Sequence, residues 1–149
     1  GVKAQSIKQK LYNLVDEDTN AFNEVIDASR LPDSNKIEKD AKDLALLNAN
    51  KQAIKIPLEV SRLSLQILDL SNDLINDINP NSITDLAVAA EVSFAAFRGA
   101  VLNIYINMNE VKSDRKFSKE VDNEVNTMLI KATELKDKIF KESVQIINS

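Results

Sequence analysis

Turn-forming residues are almost missing from this chain: it has two glycines, one of them the terminal Gly1, and three prolines in 149 residues. Tight hairpins depend on glycine-containing turns, so a sheet of short strands would have almost nowhere to reverse direction. The expected class is all-α. A chain of this length buries most of the surface that its unfolded form exposes, so one domain spanning residues 1–149 is expected.

Apolar spacing divides the chain into about five helices. Ile7, Leu11, Leu14, Val15, Phe22, Val25 and Ile26 recur at helical intervals and stop before Leu31-Pro32, where the residue ahead of proline is biased away from helix. Asp33 and Ser34 can cap a second helix through Ile37, Leu44 and Leu47 to about Ile56. Pro57 then suits the first turn of a third helix. That helix carries Val60, Leu63, Ile67, Leu70, Leu74 and Ile78 on one face, with Arg62, Gln66, Asp69 and Asp73 on the other. It ends at Asn79-Pro80. A fourth helix runs from near Ser82 to about Met108, although Asn103 to Asn107 alternates as a short strand would. Ser113 to Ser118 reads as a polar connection, and Val121, Val125, Met128, Ala132, Leu135 and Ile139 give the last helix a seven-residue repeat.

The fourth helix is apolar on almost every side, interrupted by Glu91 and Arg98 on one stripe and by Asp85 and Asn103 on another. It is expected to be surrounded by protein, either at the centre of the bundle or against a second copy. Its charges argue against a membrane span. A net charge of -4, without a dense run of Lys or Arg, also removes nucleic acid as a partner.

There are no cysteines and no histidines. Thiol redox chemistry, cysteine-based zinc sites and Ser-His pairing are therefore out, and acid/base work falls to carboxylates, Lys or Tyr. No basic and apolar secretory leader opens the sequence, and a cytoplasmic setting is expected.

Two carboxylates stand out. At 100° per residue Asp18 falls among Leu11, Leu14, Val15, Phe22 and Val25, facing the expected core, whereas Asp16 faces water. A carboxylate in apolar surroundings must be paired, hydrogen-bonded or shifted toward its neutral form, so Asp18 is either an acid/base group or a structural tie between helices. Asp85 sits three residues after Ser82 in a capping-box pattern, which explains it nearly as well as catalysis does. Asn81 and Ser82 lie beside the same helix N-terminus, a natural seat for an anionic or carbonyl-bearing ligand group. Arg98, if buried, needs an anion, with Glu91 as the intrachain candidate. Gly99 shares a stripe with Val92 and Ala96 where a missing side chain lets another helix approach. Glu59, Arg62, Asp69 and Asp73 read as a solvated face.

Several of these stretches, in order, resemble the cyclodeaminase/cyclohydrolase family, which includes the C-terminal domain of formiminotransferase-cyclodeaminase and stand-alone methenyltetrahydrofolate cyclohydrolases. They are Leu14-Val15-Asp16-Glu17-Asp18 through Ala21-Phe22-Asn23, Arg30-Leu31-Pro32, Ile56-Pro57-Leu58-Glu59-Val60, Asn79-Pro80-Asn81-Ser82 through Asp85, and Arg98-Gly99-Ala100 through Asn103 and Ile106-Asn107. The resemblance implies an all-helical homodimer and folate one-carbon chemistry with no metal and no prosthetic group, a tetrahydrofolate derivative being the substrate. Together with the apolar face around Asp18, it makes Asp18 the first and Asp85 the second candidate for catalysis, and Asn81, Ser82, Phe22 and Arg98 the candidates for substrate binding. The family's Pro-Gly-Gly-Gly-Ser signature has no counterpart here, so the sequence looks like an N-terminally incomplete copy.

The rival reading is a non-catalytic helical dimer that serves as an assembly module. Carboxylates of Asp18 and Asp85 opening onto one concavity favour the enzyme; individually paired, sealed carboxylates favour the module.

Overall fold

A computed structural model describes residues 2–149. Among these the chain forms four long α-helices and two single 3-10 turns, with no strand: α1 (Val2–Ser29), α2 (Lys36–Leu74), α3 (Ile83–Met108) and α4 (Arg115–Ile147). The expected second and third helices are one, because α2 runs through Pro57 without interruption. A proline inside a helix loses one backbone hydrogen bond and costs about 3 kcal/mol. Pro57 is buried, and so are Ile54, Leu58 and Ser61 around it. Packing of this segment offsets the local cost.

The helix starts are set by side chains. Asn35, rather than Asp33 or Ser34, caps α2: its Oδ1 accepts from the Glu38 N–H at 3.0 Å, and Glu38 in turn accepts from the Ser34 N–H at 2.9 Å. This resembles a capping box, except that Glu38 reaches back to the residue before the cap rather than to the cap itself. Asp33 instead pairs with Lys42. Within the expected polar connection, Asp114 caps α4 by accepting from the Phe117 N–H at 3.0 Å, so helix resumes at Arg115.

The hub of the bundle is α2, not the apolar α3: α1, α3 and α4 all pack on it. On α1 the buried residues Ile7, Leu14, Ala21 and Ala28 recur every seven positions, and Ile7 and Leu14 meet Leu63 of α2. On the far side of α2 a larger core joins Ile54 and Leu68 to Phe97 and Ile104 of α3 and to Val125, Ala132 and Ile139 of α4. The heptad expected in the last helix is buried as expected apart from Leu135, which is partly buried. Close helix approach is helped by buried serines. Ser61, Ser71 and Ser93 each donate to the carbonyl four residues earlier, at 2.9, 2.9 and 2.7 Å. Their hydroxyls thus need no partner from another helix.

The polar face of α2 is not simply solvated. Arg62 holds Glu124 through two hydrogen bonds of 2.6 and 2.9 Å and also reaches Glu59, while Lys131 reaches Asp69 at 2.8 Å. Arg62 is thereby held more firmly protonated, chiefly by Glu124. Lys51 pairs with Asp114 nearer the start of both helices. These links join residues 62 or 63 positions apart, so α2 and α4 run in the same direction, with α3 returning between them.

Within one chain α3 is not surrounded by protein on all sides. Val88, Val92, Leu102 and Ile106 are 61, 63, 64 and 69% exposed, so one face of the helix is uncovered. The segment Pro80–Val111 is long and apolar enough to cross a membrane by length and composition, but its buried face belongs to the bundle core.

Candidate functional site

Asp18 does not point into the core. It is exposed, as are Val15 and Phe22, because α2 covers only the Ile7, Leu14, Ala21 and Ala28 line of an apolar face that is wider than one neighbouring helix. The side chain lines a groove of about 410 Å³ between α1, α2 and α3. Leu14, Val15, Ile56, Pro57, Val60, Gly99 and Ala100 form its apolar wall. Asp18, Thr19 and Asn103 supply its polar side chains. A carboxylate, a hydroxyl and an amide around an apolar slot can hold a flat heterocycle and exchange protons with it.

Asp85 is exposed at the start of α3 and takes no part in this groove. The expected capping box is not formed: Ser82 makes no side-chain cap, and Asn79 accepts the Asn81 N–H at 3.0 Å instead. The short 3-10 turn Pro80–Ser82 changes the geometry that the box requires. Asp85 therefore makes no side-chain hydrogen bond among the described residues, and its carboxylate is free for other work. It lies fourteen positions from Gly99 on one helix, a separation of about 21 Å.

The structure thus separates the expected site residues into two groups within the chain. Asp18 belongs to the groove; Asn81, Ser82 and Asp85 gather at the other end of α3. Phe22 is 63% exposed and lies one turn beyond the groove. Arg98 is exposed rather than buried, with no ion pair among the described residues, so it needs no partner to stay charged. Gly99 has open space around it: a Cβ there would meet nothing within 4 Å, so no helix of this chain uses the gap. Asn103 and Thr19 are the groove residues that sequence reasoning did not assign. Asn103 was visible as a polar break in an apolar helix and as the end of the motif that begins at Arg98, but neither signal placed it beside Asp18.

A larger apolar groove of about 910 Å³ lies between the first half of α1 and the last half of α2, lined by Ile7, Leu11, Tyr12, Ile67 and Leu70 among others. It contains none of the expected site residues. The larger groove also reaches a carboxylate, Asp73; the smaller one is the better candidate because it joins an expected site residue, Asp18, to a hydroxyl and an amide on an apolar wall. No cluster of three or more acidic residues suited to a metal ion occurs among the described residues.

The chain is similar in sequence and fold to known proteins. The family described as formiminotransferase-cyclodeaminase matches residues 2–127. The methenyltetrahydrofolate cyclohydrolase of Methylorubrum extorquens is 30% identical over 146 residues, which cover 98% of this chain and 70% of that protein. The formimidoyltransferase-cyclodeaminase of Mus musculus is 28% identical over 83% of this chain, a match that spans 23% of the mouse protein. The crystal structure of formiminotetrahydrofolate cyclodeaminase from Thermotoga maritima superposes with a TM-score of 0.82 at 26% identity, covering 96% of this chain and 67% of that one. With the sequence pattern, the four-helix architecture and the extent of these matches in agreement, the chain belongs to the formiminotransferase-cyclodeaminase family.

Proposed function

We propose that the protein is a cytoplasmic, homodimeric folate one-carbon enzyme, a methenyltetrahydrofolate cyclohydrolase or formimidoyltetrahydrofolate cyclodeaminase that uses no metal or prosthetic group. The observation that carries this reading is the free carboxylate of Asp18 on an apolar groove, in a chain whose relatives bear those two names. Hydrating a methenyl ring and closing a formimidoyl group with loss of ammonia both pass through a tetrahedral carbon. Both also move protons on and off nitrogen. Asp18 accepts a proton from the attacking water or amine and returns one to the departing nitrogen. Asp85 is the second acid/base group. Asn81 and Ser82 orient polar groups of the pterin, Phe22 offers it an aromatic surface, and Arg98 neutralises an anionic part of the substrate.

Among the described residues neither Asp18 nor Asp85 is sealed in a structural pair, which speaks against a purely architectural role for them; within one chain only Asp18 opens onto the groove. The test is Asp18→Asn, assayed by loss of the methenyl chromophore. Turnover should fall by about 100-fold or more. The thermal midpoint should stay unchanged, because the carboxylate is exposed and supports no internal contact. Unchanged turnover would remove Asp18 from the chemistry.

A further inference from the structure

The groove that holds Asp18 carries one charge and few hydrogen-bond donors. Among the described side chains that line it Asp18 alone is ionisable, beside Thr19, Asn103 and an apolar wall. An ionised carboxylate accepts hydrogen bonds and donates none. The Thr19 hydroxyl donates its proton to the Val15 carbonyl at 3.2 Å, so toward a ligand it too is an acceptor. Asn103 makes no side-chain hydrogen bond among the described residues and can offer its carbonyl oxygen. A ligand that satisfies this slot must bring the donors, and a carboxylate without an ion pair favours a positive charge on them.

The surroundings carry the same sign. Residues 11–29 of α1 hold five acidic side chains, Asp16, Glu17, Asp18, Glu24 and Asp27, and no Lys or Arg. Lys55 and Arg62 of α2 line a separate groove together with Glu17, Glu24 and Glu59. Arg98 adjoins Gly99 in sequence but does not line the Asp18 groove. A cleft surrounded by charge of one sign draws the opposite ion into it. At about 410 Å³ the slot falls at the small end of ligand sites, enough for a compact ring system rather than an extended molecule.

We propose that this groove is a receptor for planar N–C–N cations, amidinium-type groups whose paired N–H bonds meet the Asp18 carboxylate while an attached ring lies on Leu14, Val15, Ile56, Pro57 and Val60. Thr19 and the Asn103 carbonyl accept from the remaining N–H groups. The receptor stands on the groove's own chemistry; its biological ligand rests on the folate reading above. A protonated formimidoyl group and a methenyl bridge are both planar cations with one carbon between two nitrogens, so a single seat fits either. Hydration of the methenyl cation consumes one water and gives a neutral formyl group and a proton. The ion pair with Asp18 therefore holds the reacting group of that substrate and not of its product.

Benzamidine, a planar cation on one ring, and benzamide, its neutral counterpart of nearly the same shape, are the probes, titrated at low salt into isotope-labelled protein and followed by amide shifts in NMR. Benzamidine should move the resonances around Asp18 and Gly99 and bind about 10-fold more tightly than benzamide. Asp18→Asn should abolish that preference, and Asn103→Asp, which adds a second carboxylate to the same wall, should enlarge it. Both positions are exposed, and the spectra of the variants check that the fold is kept. Equal binding of the two probes, or a preference that survives Asp18→Asn, overturns the proposal. Tighter binding of neutral pterin than of benzamidine overturns it as well, because the groove would then read the donor edge of a heterocycle rather than charge. Failure of the folate reading looks different: the unsubstituted protein turns over no methenyltetrahydrofolate while the preference for benzamidine remains.

Discussion

Asp18 and Asp114 show how little a residue's neighbours in sequence say about its role. The wheel that put Asp18 among apolar residues was correct about the stripe and wrong about its depth, because the width of a stripe does not reveal how many helices cover it. Asp114 looked like part of a polar connection, yet it caps α4 and holds Lys51 of α2. Its carboxyl is held below the ordinary value of 3.8, first by Lys51 and then by the Phe117 N–H. A depressed folded-state pKa stabilises the fold above the unfolded value, and that contribution disappears as pH falls through the folded value. Asp114→Asn should therefore lower the urea midpoint at pH 7, and the gap to wild type should close as the solution is acidified below pH 3.8. An unchanged gap at low pH would mean that the amide loses packing rather than charge.

At the scale of elements, the all-α class and the outer ends of most helices were legible, since apolar periodicity and the shortage of turn residues are local signals. The continuity of α2 was not legible. Proline's local preference favours a break, and only burial against α1 and α3 overrides it, which depends on partners distant in sequence. Pro57→Ala restores an N–H to the Ala53 carbonyl and should raise unfolding free energy by about 1 kcal/mol, most of the helical gain being offset by lost contacts of the buried ring. Pro57 also walls the groove beside Asp18, so turnover should fall in the same variant. Chemical denaturation and the chromophore assay read the two effects separately. A variant that is less stable would show that α2 is already adapted to its proline.

At the scale of the whole molecule, the functional family was readable because its motifs are short and ordered, but the division of the site was not. Sequence puts Asn81, Ser82 and Asp85 at the start of α3, but it does not say that the Asp18 groove lies toward the other end, since that depends on where α1 docks. Two hydrophobic clusters share α2: one joins it to α3 and α4, and the other joins it to α1. α1 makes no comparable contact with α3 or α4, and the lower part of its seam is built of Ala21, Ala28 and Ala49. It can therefore lift away while the remaining three helices stay packed, as a cooperative unit of lower stability. In native-state hydrogen exchange, α1 amides should exchange through this partial opening while those around Phe97 and Ile104 wait for global unfolding. Equal protection throughout would show a single unit. The aspartate proposed to handle protons thus rides on the helix most easily released, and the groove wall that holds it is also the wall able to open for a substrate to enter.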